Sequence, residues 1–306
     1  MKNARTNVMV RMTASLDLGT NLSSVRKLVA RRRLAFRLQR SKRDIFAAIG
    51  PVSSLTFIRA WGNRGDDLIE AGVRALLAPY NVNEVSGRDL GDASGKVAVI
   101  GGGGAWCQSY HHAMPTVLQE AEKRFEHVVL LPSSFEITVP SVRDALACSK
   151  AVVFARERTS FEAIRTLCNA RLAHDCAFYF DFSRYQKAGS ATLNAFRTDR
   201  ESALLPLEVR LPSDNIDISL VAQTMESWLD LISQHQFVRT DRAHVVLAAA
   251  MLNKTIEYTS SNYHKVSGIV THSLTGFPIS RLSIGEIDPL YPRVRTENSP
   301  ADERVE

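Results

Sequence analysis

Leu55-Thr-Phe-Ile-Arg-Ala-Trp-Gly-Asn-Arg-Gly-Asp-Asp-Leu-Ile-Glu-Ala-Gly-Val-Arg-Ala-Leu-Leu77 reads as a strand, a glycine-containing loop and a helix in direct succession. Residues 55–60 form a short apolar run with bulky side chains, which suits a buried strand. Residues 67–77 place Leu68, Ala71, Ala75 and Leu76 on one helical face. The same alternation continues outward. Strands are predicted at 97–100, 127–132 and 151–156, and helices at 114–125, 142–148 and 160–168. Short apolar strands alternating with amphipathic helices predict a parallel sheet covered on both faces.

A polar stretch, residues 181–190, interrupts this pattern. Strands then follow at 192–197, 237–241 and 255–258, with helices at 218–233, 242–252 and 261–270. The expected architecture is α/β: two Rossmann-like domains with parallel sheets facing a central cleft, plus a basic N-terminal helical arm. The boundaries are 1–50 for the arm, 51–185 and 186–292 for the two domains, and 293–306 for a charged tail. No internal repeat is evident.

The 306 residues are 45% hydrophobic and 23% charged, which excludes a disordered or fibrous chain. Charge is segregated. Residues 1–43 carry 12 Lys/Arg against one acid, Asp17, whereas the remainder carries 26 against 31. The body is therefore mildly acidic, and the net charge of +6 belongs to the arm. That distribution disfavours nucleic acid as a partner. A helix begun at Ser23-Ser24 would mix Val25, Leu28, Val29, Leu34, Phe36 and Leu38 with Arg and Lys. Residues 24–43 thus fit either an anionic membrane surface or a solvated appendage.

No apolar run reaches the roughly 18 residues that cross a bilayer, and the N-terminus lacks the apolar core of a secretory signal. Four cysteines without a CxxC pair read as reduced thiols. Together these predict a cytoplasmic protein.

Candidate site residues cluster where predicted strands end. Gly62, Asn63, Gly65 and Asp66 follow the first strand, where glycines admit a ligand and a helix start offers N–H groups to an anion; Asp66 and Asp67 equally suit capping. Gly101–Gly104 follow the second strand, but they make neither GxGxxG nor a P-loop, so no dinucleotide cofactor is expected. A glycine run that merely lets strand and helix pack is the competing reading. Arg156 ends the fourth strand and suits bidentate anion recognition, unless it pairs with Glu157 at the surface. Arg158 is the more exposed of the two arginines. Arg242 and His244 open an apolar helix, where the dipole favours anions. His111, His112 and His272 have no metal-ligand spacing, and no metal site is expected.

Taken in order, these residues resemble the polysaccharide pyruvyl transferase family. The matching pieces are Gly62-Asn63-x-Gly65-Asp66, glycines 101–104, Arg156-x-x-x-Ser160, Asp175-x-Ala177, Asp241-Arg242-x-His244 and Asn262-x-x-Lys265. They span residues 54–275. Ala243 and Cys176 depart from the pattern, standing where a bulky apolar residue and a proline are usual. The resemblance implies a GT-B-like fold and transfer of pyruvate from phosphoenolpyruvate to a sugar, forming a cyclic ketal on a bacterial exopolysaccharide, with the acceptor carried on a polyprenyl lipid at the inner membrane face. It implies donor contacts from Arg156, Arg242 and His244, with His244 as the acid/base. Gly62, Asn63, Gly65, Asp66, Gly102, Gly103 and Lys265 complete the expected substrate site. The alternatives are a GT-B-like glycosyltransferase using a nucleotide sugar and a catalytically inactive assembly factor.

Overall fold

The computed structural model describes residues 3–290, with side chains from residue 25 onward; the expected tail at 293–306 lies outside the described residues. The chain is α/β with two parallel sheets. The first has strands β1 (Ser54–Arg59), β2 (Asn81–Ser86), β3 (Gly95–Ile100), β4 (Gly103–Trp106), β5 (Phe125–Phe135), β6 (Val152–Ala155) and β7 (Asn169–Leu172). Its order is β2-β1-β3-β5-β6-β7, with β4 also paired to β5. The second contains β8 (Ser190–Ala195), β9 (His235–Thr240), β10 (Thr255–Tyr258) and β11 (Ile279–Arg281), in the order β11-β10-β9-β8. In the first sheet the strand order reverses between β1 and β3. Open α/β sheets bind ligands beyond the strand ends at such a point.

Successive residues of the central strands enter different cores. Phe57, Val99, Val129 and Phe154 belong to one apolar cluster, and Ile58, Ile100, Leu130 and Val153 to another. The second cluster is closed by helices α3 (Ala113–Arg124), α4 (Pro140–Cys148) and α5 (Arg158–Ile164). The first is closed by α2 (Arg64–Leu77) and runs on without a break to Leu193, Val238 and Ile256 of the second sheet. Helices α7 (Met225–Ser233) and α8 (Ala243–Met251) lie in that shared layer. Phe182 and Tyr185, from the polar stretch joining the sheets, are buried in it as well.

Several elements differ from expectation. The predicted helix 218–233 is two pieces, α6 (Ile218–Val221) and α7, because Thr224 starts a fresh capping box with Ser227. Strands β2, β7 and β11 lack a continuous apolar run and escape a pattern search. The glycine run 101–104 is a kink between two strands rather than a terminal loop. After β3 the chain resumes as β4, still pairing with β5. Pro132 of β5 has no N–H to donate, so the ladder loses its register there. Gly102 crosses at that point, where a Cβ would stand 2.3 Å from the Pro132 carbonyl oxygen, and Gly103 takes φ +141°.

The basic segment is no appendage. It forms one helix, α1 (Asn3–Ile49), whose C-terminal half is part of the core. Ala30, Leu34, Ser41, Ile45, Ala48 and Ile49 are buried. Arg31 donates to the Met251 carbonyl at the end of α8. Arg37 donates to the His272 and Ser273 carbonyls at the end of α9 (Lys265–Ser273). Cations there answer the negative ends of both helices. At the other end of the strap, His127 on β5 hydrogen-bonds the Ala48 carbonyl. The opposite face exposes Val25, Leu28, Val29 and Phe36 among Arg26, Arg32, Arg33, Arg40 and Arg43. Among the described residues, no helix is long and apolar enough to cross a membrane.

Helix α2 lies against the turn Cys176–Tyr179, and Gly72 makes this approach possible, since a Cβ there would stand 2.0 Å from the Cys176 carbonyl oxygen. Neither partner can yield, because both are backbone. Gly72→Ala is therefore expected to destabilise the protein by about 3 kcal/mol or more, the upper end for overpacking. A Tm within a degree of wild type in thermal unfolding would contradict this packing.

Candidate active site

Three cations stand just past the C-terminal ends of parallel strands. Arg156 follows β6, Arg197 follows β8 and Arg242 follows β9. With Lys265 of α9 and His244 of α8 they line one open cavity, whose wall also includes Trp61, Gly62, Asn63, Gly65, Asp66, Gly104, Tyr110 and Glu201.

Arg156 is wholly buried. Its Nε donates to Ser134 Oγ at 2.8 Å and its Nη1 to Asp175 Oδ2 at 2.9 Å. His244 Nε2 lies 3.4 Å from both Arg156 Nη1 and Asp175 Oδ2. Burial by itself would raise the Asp175 carboxyl; the His244 hydrogen bond and the His244 and Arg156 charges outweigh it and hold the pKa well below the carboxylate range. Asp175 is further fixed by the Ala177 N–H, donated to Oδ1 at 2.8 Å. Among the described residues, Arg156 Nη2, in the cavity wall, has no partner. A buried N–H of a cation with no acceptor demands one. The surface pairing with Glu157 does not occur: Glu157 is buried, caps α5 and faces His264. Arg158 is exposed and pairs with Glu162.

A second charged chain crosses the cavity. Lys265 Nζ donates to Glu201 Oε1 at 2.7 Å, and Arg197 bridges Glu201 and Asp199. Burial lowers the Lys265 pKa, and Glu201 offsets only part of that. Arg242 Nη2 donates to both Asp217 oxygens, at 2.6 and 2.7 Å, while its buried Nε has no partner among the described residues. Each cation is thus positioned by a carboxylate, and two of them keep an unused buried donor.

The glycine loop before α2 behaves differently from an anion cradle. Asn63 accepts from the Gly65 N–H and Asp66 Oδ2 accepts from the Asn63 N–H, closing a capping box. The first N–H groups of α2 are therefore consumed internally. Gly62 is glycine because a Cβ would stand 1.8 Å from Asp66 Oδ2; at Gly65 it would stand 2.8 Å from His244 Nδ1. The loop's task is to seat the imidazole. Helix α8 has no side-chain cap, and its first-turn residues Ala243, His244 and Val245 line the cavity.

The structure thus gathers Gly62, Asn63, Gly65, Asp66, Arg156, Arg242, His244 and Lys265 around one cavity. Gly102 and Gly103 are absent from its wall; Gly104 stands there, against Arg156 Nη2 and the Tyr263 hydroxyl. Asp175, Arg197 and Glu201 escaped the sequence reading as site residues. Asp175 was visible only as part of a motif. Arg197 carried the same signal as Arg156, an arginine closing an apolar strand. Among the described residues, no group of three or more His, Cys, Asp or Glu side chains is placed to hold a metal ion.

A family model described as polysaccharide pyruvyl transferase matches residues 63–255. Among curated proteins, none matches the sequence significantly. A solved structure of a functionally uncharacterised protein from Klebsiella pneumoniae superposes with a TM-score of 0.64 at 22% identity, covering 82% of this chain and 98% of the other. At that identity the likeness concerns the fold.

Asp241 supplies a test of the site's electrostatics. Its Oδ1 accepts from the Arg197 N–H, its Oδ2 has no partner among the described residues, and burial pushes its carboxyl from 3.8 up to about 6. The folded state therefore binds more protons than the unfolded state between those values, and stability should fall as pH rises from about 4 to about 6. Asp241→Asn removes that loss and should gain about 3 kcal/mol at pH 7. Denaturant titrations across this pH range would show the wild-type decline and its absence in the variant; parallel curves would refute the assignment.

Proposed function

The chain belongs to the polysaccharide pyruvyl transferase family, whose members transfer pyruvate in polysaccharide biosynthesis, and from that premise we propose that it takes pyruvate from phosphoenolpyruvate and closes a cyclic ketal on a saccharide. The carrying observation is the buried Arg156, held by Asp175 beside His244, with an unpartnered Nη2 in the cavity. A small donor with a carboxylate and a phosphate supplies the acceptors that Arg156 Nη2, Arg242 Nε and the first turn of α8 lack.

The steps follow from this placement. His244 delivers a proton to the donor's methylene carbon, and positive charge develops at the adjacent carbon. A sugar hydroxyl adds there and loses its proton. The carbon–phosphate oxygen bond then breaks, phosphate departs, and a neighbouring hydroxyl adds with loss of its own proton to close the ketal. Arg156 and Arg242 hold the anionic groups throughout, in a site where preformed dipoles need no reorganisation. Asp175, kept ionised, orients the imidazole. No cofactor enters these steps.

The outer face of α1 supports a lipid-linked acceptor. Phe36 is 70% exposed, and Val25, Leu28 and Val29 are exposed beside it, among five exposed arginines. Such a surface suits the headgroup layer of an anionic membrane, each base adding about 1 kcal/mol near the leaflet. Docked this way at the inner face of the plasma membrane, the enzyme would meet a polyprenyl-linked saccharide.

His244→Ala should lower phosphate release from phosphoenolpyruvate by about 10²–10⁴-fold while leaving the circular dichroism spectrum unchanged. Near-normal turnover would remove His244 from the chemistry. For the membrane surface, deleting residues 24–43 would also delete core side chains, so charge reversal is the cleaner probe. The triple variant Phe36→Glu, Arg40→Glu, Arg43→Glu should lose the flotation with phosphatidylglycerol vesicles expected of the wild type. Equal flotation of the two proteins would end that reading.

A further inference from the structure

The cavity has two chemically different ends. Its charged residues are deeply placed, with Arg156, Arg197, Glu201, Arg242 and Lys265 no more than 6% exposed. The rest of the wall includes Trp61, Ala105, Tyr110, Ala113 and Met114. Met114 is buried, but Trp61, Ala105 and Ala113 are half-buried and Tyr110 is 36% exposed, so the two aromatic rings lie nearer solvent than the charged groups. The arrangement is built rather than incidental. The Arg88 guanidinium lies 5.3 Å from the Trp61 ring centre and that of Arg200 4.8 Å from the Tyr110 ring centre. A Cβ at Gly87 would stand 3.1 Å from Trp61 Cζ3, so the indole is seated against backbone.

Phosphoenolpyruvate uses none of this. Its anionic groups call for the buried cations, which leaves the aromatic part of the same wall to a different chemical group. A hexopyranose has the complementary chemistry: a face of C–H groups that stacks on an aromatic ring, and a rim of hydroxyls that needs acceptors. Asp66 belongs to the same wall. Its Oδ2 is taken by the Asn63 N–H, leaving Oδ1 for a ligand.

Resting on the pyruvyl-transfer reading, we infer that Trp61 and Tyr110 form the acceptor-saccharide subsite, with Asp66 Oδ1 accepting from a sugar hydroxyl. The stacked ring would present its hydroxyl edge inward, toward His244 and Arg156. Arg88 and Arg200 hold the two platforms in orientation from their exposed positions.

Saturation-transfer difference NMR on the full chain tests this without the natural acceptor. The probes are the methyl glycosides of glucose, galactose and mannose at millimolar concentration, with phosphoenolpyruvate binding followed separately by calorimetry. Wild type should transfer saturation to ring C–H protons of at least one probe. Trp61→Ala/Tyr110→Ala should lower that signal roughly fivefold or more, the scale of two lost aromatic contacts, and leave the donor's binding heat unchanged, which also shows the variant folded. If the double variant unfolds, Trp61→Phe serves in its place: the saccharide-dependent tryptophan emission change should fall severalfold in it, Trp228 in the same wall being only 1% exposed. No transfer in wild type, or undiminished transfer in the double variant, would overturn the subsite while leaving donor chemistry intact. Saccharide signals that depend on Trp61, without any donor heat in wild type, would sustain the subsite and remove the phosphoenolpyruvate reading instead.

Discussion

A guanidinium that sees no water must find its compensation inside the protein, and the pairing of Arg156 with Asp175 supplies it. Removing one member of such a pair leaves a buried charge uncompensated, which costs about 3–5 kcal/mol. Much of the surrounding architecture serves this pair. Asp175 begins the Cys176–Tyr179 turn, which is pressed against α2 at Gly72. The other end of α2 seats His244 at Gly65. Strand β6 delivers Arg156, and the α8 start delivers the imidazole from beyond the second sheet. One short chain of contacts thus joins both sheets at the place where chemistry is proposed.

The site is polar but not strongly cationic. Arg156, Arg197, Arg242 and Lys265 face Asp175, Asp199, Glu201 and Asp217, and every cation already has a carboxylate. Bare positive charge would bind an anion more strongly, yet it could not be held in place within a buried wall. Carboxylates fix the guanidinium planes and leave chosen N–H groups unused. Arg156 Nη2 and Arg242 Nε are those groups. Recognition then depends on direction as much as on charge, which suits a donor with two anionic groups set at a fixed distance.

Helix α1 shows how one segment can answer two demands. Its inner face supplies core side chains and caps the C-terminal ends of α8 and α9 through Arg31 and Arg37. Its outer face carries Val25, Leu28, Val29 and Phe36 beside Arg26, Arg32, Arg33, Arg40 and Arg43. The sequence exposes that imbalance openly, yet periodicity across a helix with two apolar faces is blurred, and the segment reads as detached from the body. Burial decides which apolar residues are core: Leu34 and Ile45 go in, while Leu28 and Phe36 stay out.

The amino-acid sequence by itself determined the α/β class, the strands and helices with strong periodicity, and the presence of Arg156, Arg242 and His244 at element ends, because those properties are local. It left open whether Gly62, Gly65 and Asp66 cradle a ligand or shape a cap, whether the 101–104 run is a loop or a kink, and which carboxylate partners Arg156. Tertiary structure decided each of these. The capping box, the proline-broken ladder at Pro132 and the Arg156–Asp175 pair all depend on how closely separate segments approach in space, and a one-dimensional pattern carries no record of such distances.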